Sequence, residues 1–400
     1  MKKTLRILHI VGSLILPPNP DVAGVSGAVR AALEIGRVQV QLGHQVWVAA
    51  VGQEAWQVDW HGVHLINIKL MPWARVQFCG RSLDFSVQLP LALLTRRYRF
   101  DVIQGYMHNY LRFLRGRLRA AYFQTDPLYH GHGTDDISMK TADFNAVARF
   151  SHVQFAVSRF VAEQLKHGFG ENSNVSVIYN GVDSQIFNCE RWQERRNQLR
   201  QTWGVVEGDV VILYAGAIVP EKGVLPLARA FARLSTLHPN VYLVLAGGAS
   251  LWNQSLVQYN PKLNYEYEVL AALKSASLNG RVHVLGPVSS GEMPGLYAAS
   301  DVVVVPSTWQ EPFGLVAVEA LASSRPVIAS NTGGLPETLD EGCGLLVPPG
   351  DEAGLETALG TLAESSPLRQ QMGTAGRMRA LNFSWERTVQ SIDAVYAVNL

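Results

Sequence analysis

Short apolar runs punctuate the second half of the chain: Val210–Ala215, Val241–Ala246, Val282–Leu285, Val302–Val305, Pro326–Ala329 and Leu345–Val347. Each gap between them carries a helical pattern. Runs this short and this rich in valine suit strands covered on both faces of a parallel sheet. The helical gaps supply the crossovers that such a sheet requires. The alternation predicts a doubly wound α/β domain over residues 185–384. A similar alternation fills residues 1–184, with strands at Leu5–Val11, His44–Val51, His61–Leu70, Phe100–Asn109, Ala120–Phe123, Gln154–Ser158 and Val175–Tyr179. Helices are expected at Ala28–Leu42, Leu89–Arg97, Ala142–Phe150 and Arg159–Lys166. The polar stretch Gln185–Val206 links the two halves, and Ser384 is a fitting N-cap for a last amphipathic helix over 385–400. The expected fold class is α/β, with two Rossmann-like domains. A chain of 400 residues is of the right size for two domains.

Composition removes several functional classes. A net charge of +1 argues against nucleic-acid binding as the main role. Cys79, Cys189 and Cys343 are odd in number and far apart, which fits neither a disulfide framework nor a metal cluster, and suits a reducing, cytoplasmic compartment. The first apolar run is broken by Arg6 and His9, so it reads as a strand rather than a signal peptide. No uninterrupted apolar stretch reaches the roughly 18 residues of a spanning helix. Gly24 and Gly27 invite a dinucleotide reading, but that fingerprint follows its strand at once and carries an acidic residue after the next strand. Here a long proline-bearing loop intervenes and strand two ends Ala49-Ala-Val-Gly52. Gly24 and Gly27 either let a loop approach a phosphate or sugar, or form a plain loop-to-helix turn.

The chemistry concentrates in Pro306-Ser-Thr-Trp-Gln-Glu311-Pro-Phe-Gly-Leu-Val-Ala-Val-Glu319-Ala-Leu-Ala. This reads as strand end, short loop and helix, with Pro312 in the first helical turn and Glu319 two turns in. Glu319 has no Lys or Arg three or four residues away and lies among Val316, Ala317, Val318, Ala320 and Leu321. Either it turns to solvent on a half-exposed helix, or something donates hydrogen bonds to it. Free N–H groups near Gly314 and Leu315 form an anion site. Carboxylate, amides and second carboxylate in line suit a nucleotide sugar: sugar hydroxyls at Glu311, diphosphate at the helix start, ribose at Glu319.

Other polar residues fall at expected carboxyl ends of strands, where ligands bind in such sheets. In the second half these are Gly216, Lys222, Gly248, Val288 and the turn Gly333-Gly334. Lys222 is read as opening a helix, where it meets a phosphate or is an ordinary surface lysine. In the first half, His108 and Asn109 are candidates on the acceptor side or simply packed loop residues; Gln124 and Asp126 lie at the next strand's tip. Arg96, Arg97, Arg99, Arg112, Arg115, Arg117 and Arg119 form the most basic region. It could rest on an anionic membrane face, grip an anionic acceptor, or be a solvated surface.

Glu311-Pro-Phe-Gly-Leu-Val-Ala-Val-Glu319, Glu221-Lys222-Gly223, Asn180-Gly-Val-Asp183, Gly333-Gly334-Leu-Pro-Glu337 and Phe383-Ser384-Trp385 occur in an order that resembles the retaining GT-B glycosyltransferases of the group-1 (glycogen-synthase and mannosyltransferase-like) family, including bacterial cell-surface and spore-coat sugar transferases. The resemblance implies two Rossmann-like domains facing a cleft, the first binding acceptor and the second a nucleotide-sugar donor. It implies transfer with retention and no required metal or cofactor. Glu311 and Lys222 become the expected catalytic pair. Gly216, Gly248, Val288, Phe313, Gly314, Leu315, Val316 and Glu319 become donor contacts, joined by Gly24 and Gly27 from the first domain. His108, Asn109, Gln124 and Asp126 fall on the acceptor side. The expected partners are a nucleotide sugar, UDP- before GDP-linked, and a glycan or lipid-linked acceptor, with no nucleic acid and with peripheral contact at the cytoplasmic membrane face. Two departures stand out: Ala217 where the family usually has Arg, and Gln124-Thr125-Asp126 where it often has a His followed by a polar or acidic residue. They favour a protein that binds a nucleotide sugar or glycan without turnover; a sugar-nucleotide epimerase or a phosphorylase of the same fold is a separate alternative.

Overall fold

The computed structural model describes residues 4–400 except 13, 23–24, 72–73, 79–80, 107–110, 112, 129–138, 140, 172, 249–260, 275–277 and 279. The chain divides into two compact units, Met1–Gly181 with Trp385–Leu400, and Val182–Ser384.

The first unit holds strands β1 (Arg6–Gly12), β2 (Gln45–Gly52), β3 (Trp56–Trp60), β4 (Val63–Lys69), β5 (Arg75–Phe78), β6 (Arg81–Asp84), β7 (Phe100–Gly105), β8 (Gly116–Phe123), β9 (Val153–Ala156) and β10 (Val175–Val177). Eight of them form one sheet in the order β10-β9-β8-β7-β1-β2-β4-β3. Only the edge strand β3 runs antiparallel there. The residues expected to begin a strand at His61 instead make the β3–β4 turn, with φ of 49° at His61 and 81° at Gly62. Two successive left-handed residues match the turn that the twist of a hairpin favours. The hairpin β5–β6 was likewise not expected. Helices α1 (Gly27–Gln41), α2 (Gln88–Tyr98), α3 (Thr141–Phe150) and α4 (Arg159–Phe169) supply crossovers. Ser26 caps α1 by accepting from the Val29 amide, so Gly27 is the first residue of that helix.

The C-terminal helix, Trp385–Asn399, buries Val389, Ile392 and Tyr396. A directional thread of buried hydrogen bonds fixes it. The Tyr396 hydroxyl donates to Gln104 Oε1 at 2.6 Å. Gln104 Nε2 donates to the Tyr106 oxygen at 2.8 Å, and the Tyr106 hydroxyl meets His9 Nδ1 at 3.2 Å. His9 Nε2 then meets Gln39 Oε1 at 2.8 Å. Each donor finds an acceptor only if His9 is neutral with its proton on Nε2. Burial lowers the His9 pKa to about 4, which keeps it so.

The second unit has β11 (Val210–Ala215), β12 (Val241–Ala246), β13 (Val282–Gly286), β14 (Val302–Val305), β15 (Val327–Ser330) and β16 (Gly344–Val347). The order is β13-β12-β11-β14-β15-β16, parallel throughout. The winding reverses between β11 and β14. That is the switch point, where a crevice opens at the carboxyl ends of the strands. Its helices are α5 (Gln193–Thr202), α6 (Val224–Leu237), α7 (Pro261–Lys274), α8 (Met293–Ala299), α9 (Leu315–Ala322), α10 (Leu335–Thr338), α11 (Glu352–Glu364) and α12 (Ser366–Ala380). Val210, Ile212 and Tyr214, the alternate residues of β11, pack with Leu227, Phe231 and Leu234 of α6 in one buried cluster. Each large side chain buried there stabilises the unit by roughly 1.5–3 kcal/mol. No helix among the described residues is long and apolar enough to cross a membrane.

Candidate functional site

β14 delivers the chain to the switch point, and the loop from Pro306 to Gly314 is tied to its neighbours through the backbone. The amides of Thr308 and Trp309 donate to the Glu221 carbonyl at 2.9 and 3.2 Å. The Gly334 amide donates to the Glu311 carbonyl at 2.7 Å. Gly333 (φ 58°) packs so closely that a Cβ there would sit 2.2 Å from the Glu311 oxygen. The turn at Gly333-Gly334 thus holds the backbone of Glu311, a role that its spacing in the sequence does not show.

These ties bring Lys222 to Glu311. Lys222 ends a single 3-10 turn, Pro220–Lys222, two residues before α6 rather than opening the helix itself. Its ammonium lies 2.7 Å from Glu311 Oε2. The same oxygen accepts from Trp309 Nε1 at 2.8 Å and from Ser307 Oγ at 3.0 Å. Burial alone would raise the Glu311 pKa, but Lys222, Trp309 and Ser307 favour the charged form and hold it below the usual carboxylate range.

The helix begins later than expected. Gly314 takes φ 97° and ends the loop, so α9 starts at Leu315, Pro312 lies in the loop, and Glu319 stands one turn in rather than two. A left-handed residue cannot continue a helix in either direction. No side chain caps this start, so the amides of Leu315 and Val316 carry the partial positive charge of the helix end without a side-chain acceptor. Phe313 is buried against Phe383, edge to face at 5.8 Å between ring centres.

Glu319 is half-buried and accepts from the Tyr297 hydroxyl at 2.8 Å. Tyr297 is wholly buried; burial first, then the Glu319 charge, pushes its pKa well above 10.0, so it remains a donor. The sequence reading asked for such a donor without naming it. The available signal was a lone hydroxyl in the apolar segment Met293–Ala299, since a buried Tyr usually finds a partner. Gly216, Gly248 and Val288 follow β11, β12 and β13 at the same edge of the sheet. Ala217 is buried and its carbonyl accepts from the Tyr214 hydroxyl at 2.6 Å.

In the first unit, Gln124 and Asn180 exchange two amide hydrogen bonds, at 2.7 and 3.1 Å. Both are buried, so the Gln124 amide is committed to Asn180. Asp126 is buried and accepts from the Leu128 amide at 2.9 Å. Gly24, His108 and Asn109 lie outside the described residues. Arg99, Arg115 and Arg117 stand where β7 and β8 begin, at the edge of the sheet opposite Gln124 and Asp126. A cavity of about 840 Å³ in the second unit also lies at an amino edge, beside Arg196, Arg200, Asp301 and Arg369, and takes in none of the expected site residues.

Comparison with known proteins bears on the family and the fold. Two family models match: Glycosyl transferases group 1 over residues 195–379, and Glycosyltransferase Family 4 over residues 25–186. A D-inositol 3-phosphate glycosyltransferase of Corynebacterium diphtheriae is 32% identical over 235 residues, covering 58% of this chain and 52% of that protein. Spore coat protein SA of Bacillus subtilis is 30% identical over 251 residues, covering 61% and 64%. The match thus spans about half to two thirds of these relatives' length. Among solved structures, sucrose-phosphate synthase from Thermosynechococcus elongatus superposes with a TM-score of 0.78 at 21% identity over 98% of both chains. Anabaena HepE in complex with UDP-glucose gives 0.76 at 22% identity, over 98% of this chain and 100% of that one.

Proposed function

We propose that this chain, which belongs to the group-1 glycosyltransferases and has the GT-B fold, moves a sugar from a nucleotide-diphosphate donor to a hydroxyl of a glycan or lipid-linked acceptor, with retention and without a metal. The observation that carries this reading is the line of groups on one loop and helix. Glu311 and Lys222 stand at its outer end, the uncapped amides of Leu315 and Val316 in the middle, and Glu319 one turn further on. In this reading the Glu311 carboxylate accepts from hydroxyls of the donor sugar. The helix start and the Lys222 ammonium meet negative charge as it grows on the departing diphosphate, which lowers the barrier electrostatically. Glu319, held by Tyr297, accepts from the ribose. The solved HepE complexes with UDP and UDP-glucose support a uridine donor, with GDP-sugars as the next class to try.

A second reading is a protein of the same fold that binds a nucleotide sugar or glycan without turnover. It is favoured by Gln124, a neutral amide paired with Asn180 that cannot act as a general acid or base.

One experiment tests both. Thermal shift and calorimetry with UDP- and GDP-sugars, with and without magnesium, are run on the wild type and Glu319→Ala, followed by transfer and hydrolysis assays with the donor that binds. Metal-independent binding of one donor, lost in Glu319→Ala, together with turnover supports the transferase. Binding without turnover selects the second reading, and no binding by any donor overturns the transferase and leaves only the glycan-binding form of the second reading.

A further inference from the structure

Trp309 has no part in the proposed reaction, yet it touches both charged groups of the candidate site. Its indole N–H donates to Glu311 Oε2 at 2.8 Å, and the Lys222 ammonium lies 4.9 Å from its ring centre. Among the described residues, every hydrogen bond to the Glu311 side chain ends on Oε2: from Lys222, Trp309 and Ser307. Oε1 receives none and is not a buried atom. A carboxylate oxygen offers about two lone-pair directions, so three donors saturate Oε2 and leave the acceptor capacity of Oε1 whole.

Lys222 cannot be a permanent anchor for that arrangement. Resting on the reading above, its ammonium is needed at the diphosphate. Sharing it with phosphate oxygens weakens its hold on Glu311 at the moment when Glu311 must be in place. Trp309 and Ser307 are neutral donors with nothing to gain at a phosphate. Ser307 is fully buried behind the carboxylate, and Trp309 lies on the loop whose amide is tied to the Glu221 carbonyl. Trp309 also keeps the ammonium over its ring face, where a cation is attracted without being neutralised.

We propose that Trp309 is the positioning residue of the sugar half of the donor site: it pins Glu311 through Oε2, keeps Oε1 turned to two hydroxyls of the donor sugar, and lets Lys222 shift toward phosphate without the carboxylate following. It follows that Trp309 governs affinity for the sugar and hardly that for the nucleotide.

The test compares Trp309→Phe with the wild type. Phenylalanine keeps an aromatic ring on the loop and removes the N–H together with one ring of the indole; Ser307→Ala controls for the lost volume. Calorimetry with the bare nucleoside diphosphate and with the nucleotide sugar separates the two halves. The expected result is a nucleoside-diphosphate affinity within about threefold of wild type and a nucleotide-sugar affinity reduced about tenfold, the usual scale for one hydrogen bond to a charged group. Ser307→Ala, which removes the other neutral donor, is expected to shift the same ratio in the same direction, and it serves if Trp309→Phe does not fold. A ligand-free readout is the indole ¹⁵N–¹H resonance that disappears in Trp309→Phe: it is expected far downfield in wild type and displaced upfield in Glu311→Gln. Equal losses for both ligands, no loss for either, or an indole resonance indifferent to Glu311→Gln overturns the assignment while the transferase reading stands. A wild type that binds neither ligand overturns the transferase reading and this assignment with it.

Discussion

Gly333→Ala probes the backbone tie at Glu311 without altering any charged group. Two penalties arise. The first is conformational: at φ 58° a Cβ crowds its own backbone, which costs about 1–2 kcal/mol. The second is a collision. The added Cβ would lie 2.2 Å from the Glu311 oxygen and 2.6 Å from its nitrogen, both backbone atoms. Reaching the 3.4 Å of ordinary contact requires the two strands of chain to part by about 1.2 Å (3.4 minus 2.2). That movement breaks the 2.7 Å bond from the Gly334 amide to the Glu311 carbonyl, worth about 0.5–1.5 kcal/mol. Together the loss is about 1.5–3.5 kcal/mol. Gly204→Ala is the control: φ there is 68°, and a Cβ meets nothing within 4 Å, so only the conformational part applies. Urea titration of both variants isolates the collision. Nucleotide-sugar calorimetry on Gly333→Ala is expected to show weakened binding, and a transfer assay a rate loss on the order of a hundredfold, since a misplacement of about 1 Å in a positioned group has effects of that order on rate. The reasoning fails if Gly333→Ala is destabilised no more than Gly204→Ala and binds donor as the wild type does.

Four further outcomes follow from the same geometry. Glu311 has a folded pKa held below its ordinary 4.5, so its stabilising contribution is complete above about pH 4.5 and is lost as pH falls through the lowered value; the gap in urea midpoint between wild type and Glu311→Gln is expected to be constant near neutrality and to close in acid. Tyr297→Phe removes the donor to Glu319 and is expected to cost about 1.5–3 kcal/mol in urea titration, with weaker nucleoside-diphosphate binding. Asn180→Ala leaves the buried Gln124 amide without its partner and is expected to cost about 1–3 kcal/mol, measured the same way. His9, with a pKa lowered from 6.5 to about 4, is neutral in the fold while the unfolded chain takes up a proton below about 6.5; stability is therefore expected to fall by up to about 3 kcal/mol between pH 6.5 and 4, and His9→Gln is expected to flatten that slope in urea titrations across the range.

Much of the second unit was legible because its strands announce themselves. Val302–Val305 has no reading but a strand covered on both faces, and the glycines and polar residues that follow such runs mark the ligand edge. The first unit was harder at its margin. Trp56–Trp60 is an edge strand whose alternation is half exposed, and the His61-Gly62 turn hides inside a stretch that reads as continuous β. The helix start was misplaced because Pro312 is permitted in a first turn, whereas the left-handed Gly314 forbids one; permission and prohibition look alike in a string of letters.

The site shows the same division at finer scale. Charged residues could be picked out from their surroundings: Glu319 has no local cation, and Lys222 stands beside a glycine at a strand end. What holds them could not, because every holder is distant in sequence or neutral. Tyr297 reaches Glu319 across 22 residues and Lys222 reaches Glu311 across 89. Gln124 at a strand tip and Asn180 at the start of its own motif stand 56 residues apart, and only the fold brings them together as a complementary amide pair. The loop carrying Trp309 and Glu311 is fixed by main-chain bonds to Glu221 and Gly334, which any residue type could make. Charge is thus written locally, while its orientation is set by neutral donors and backbone ties. For that reason, substitutions at Trp309, Tyr297 and Gly333 should separate positioning from charge more cleanly than removal of the carboxylates themselves.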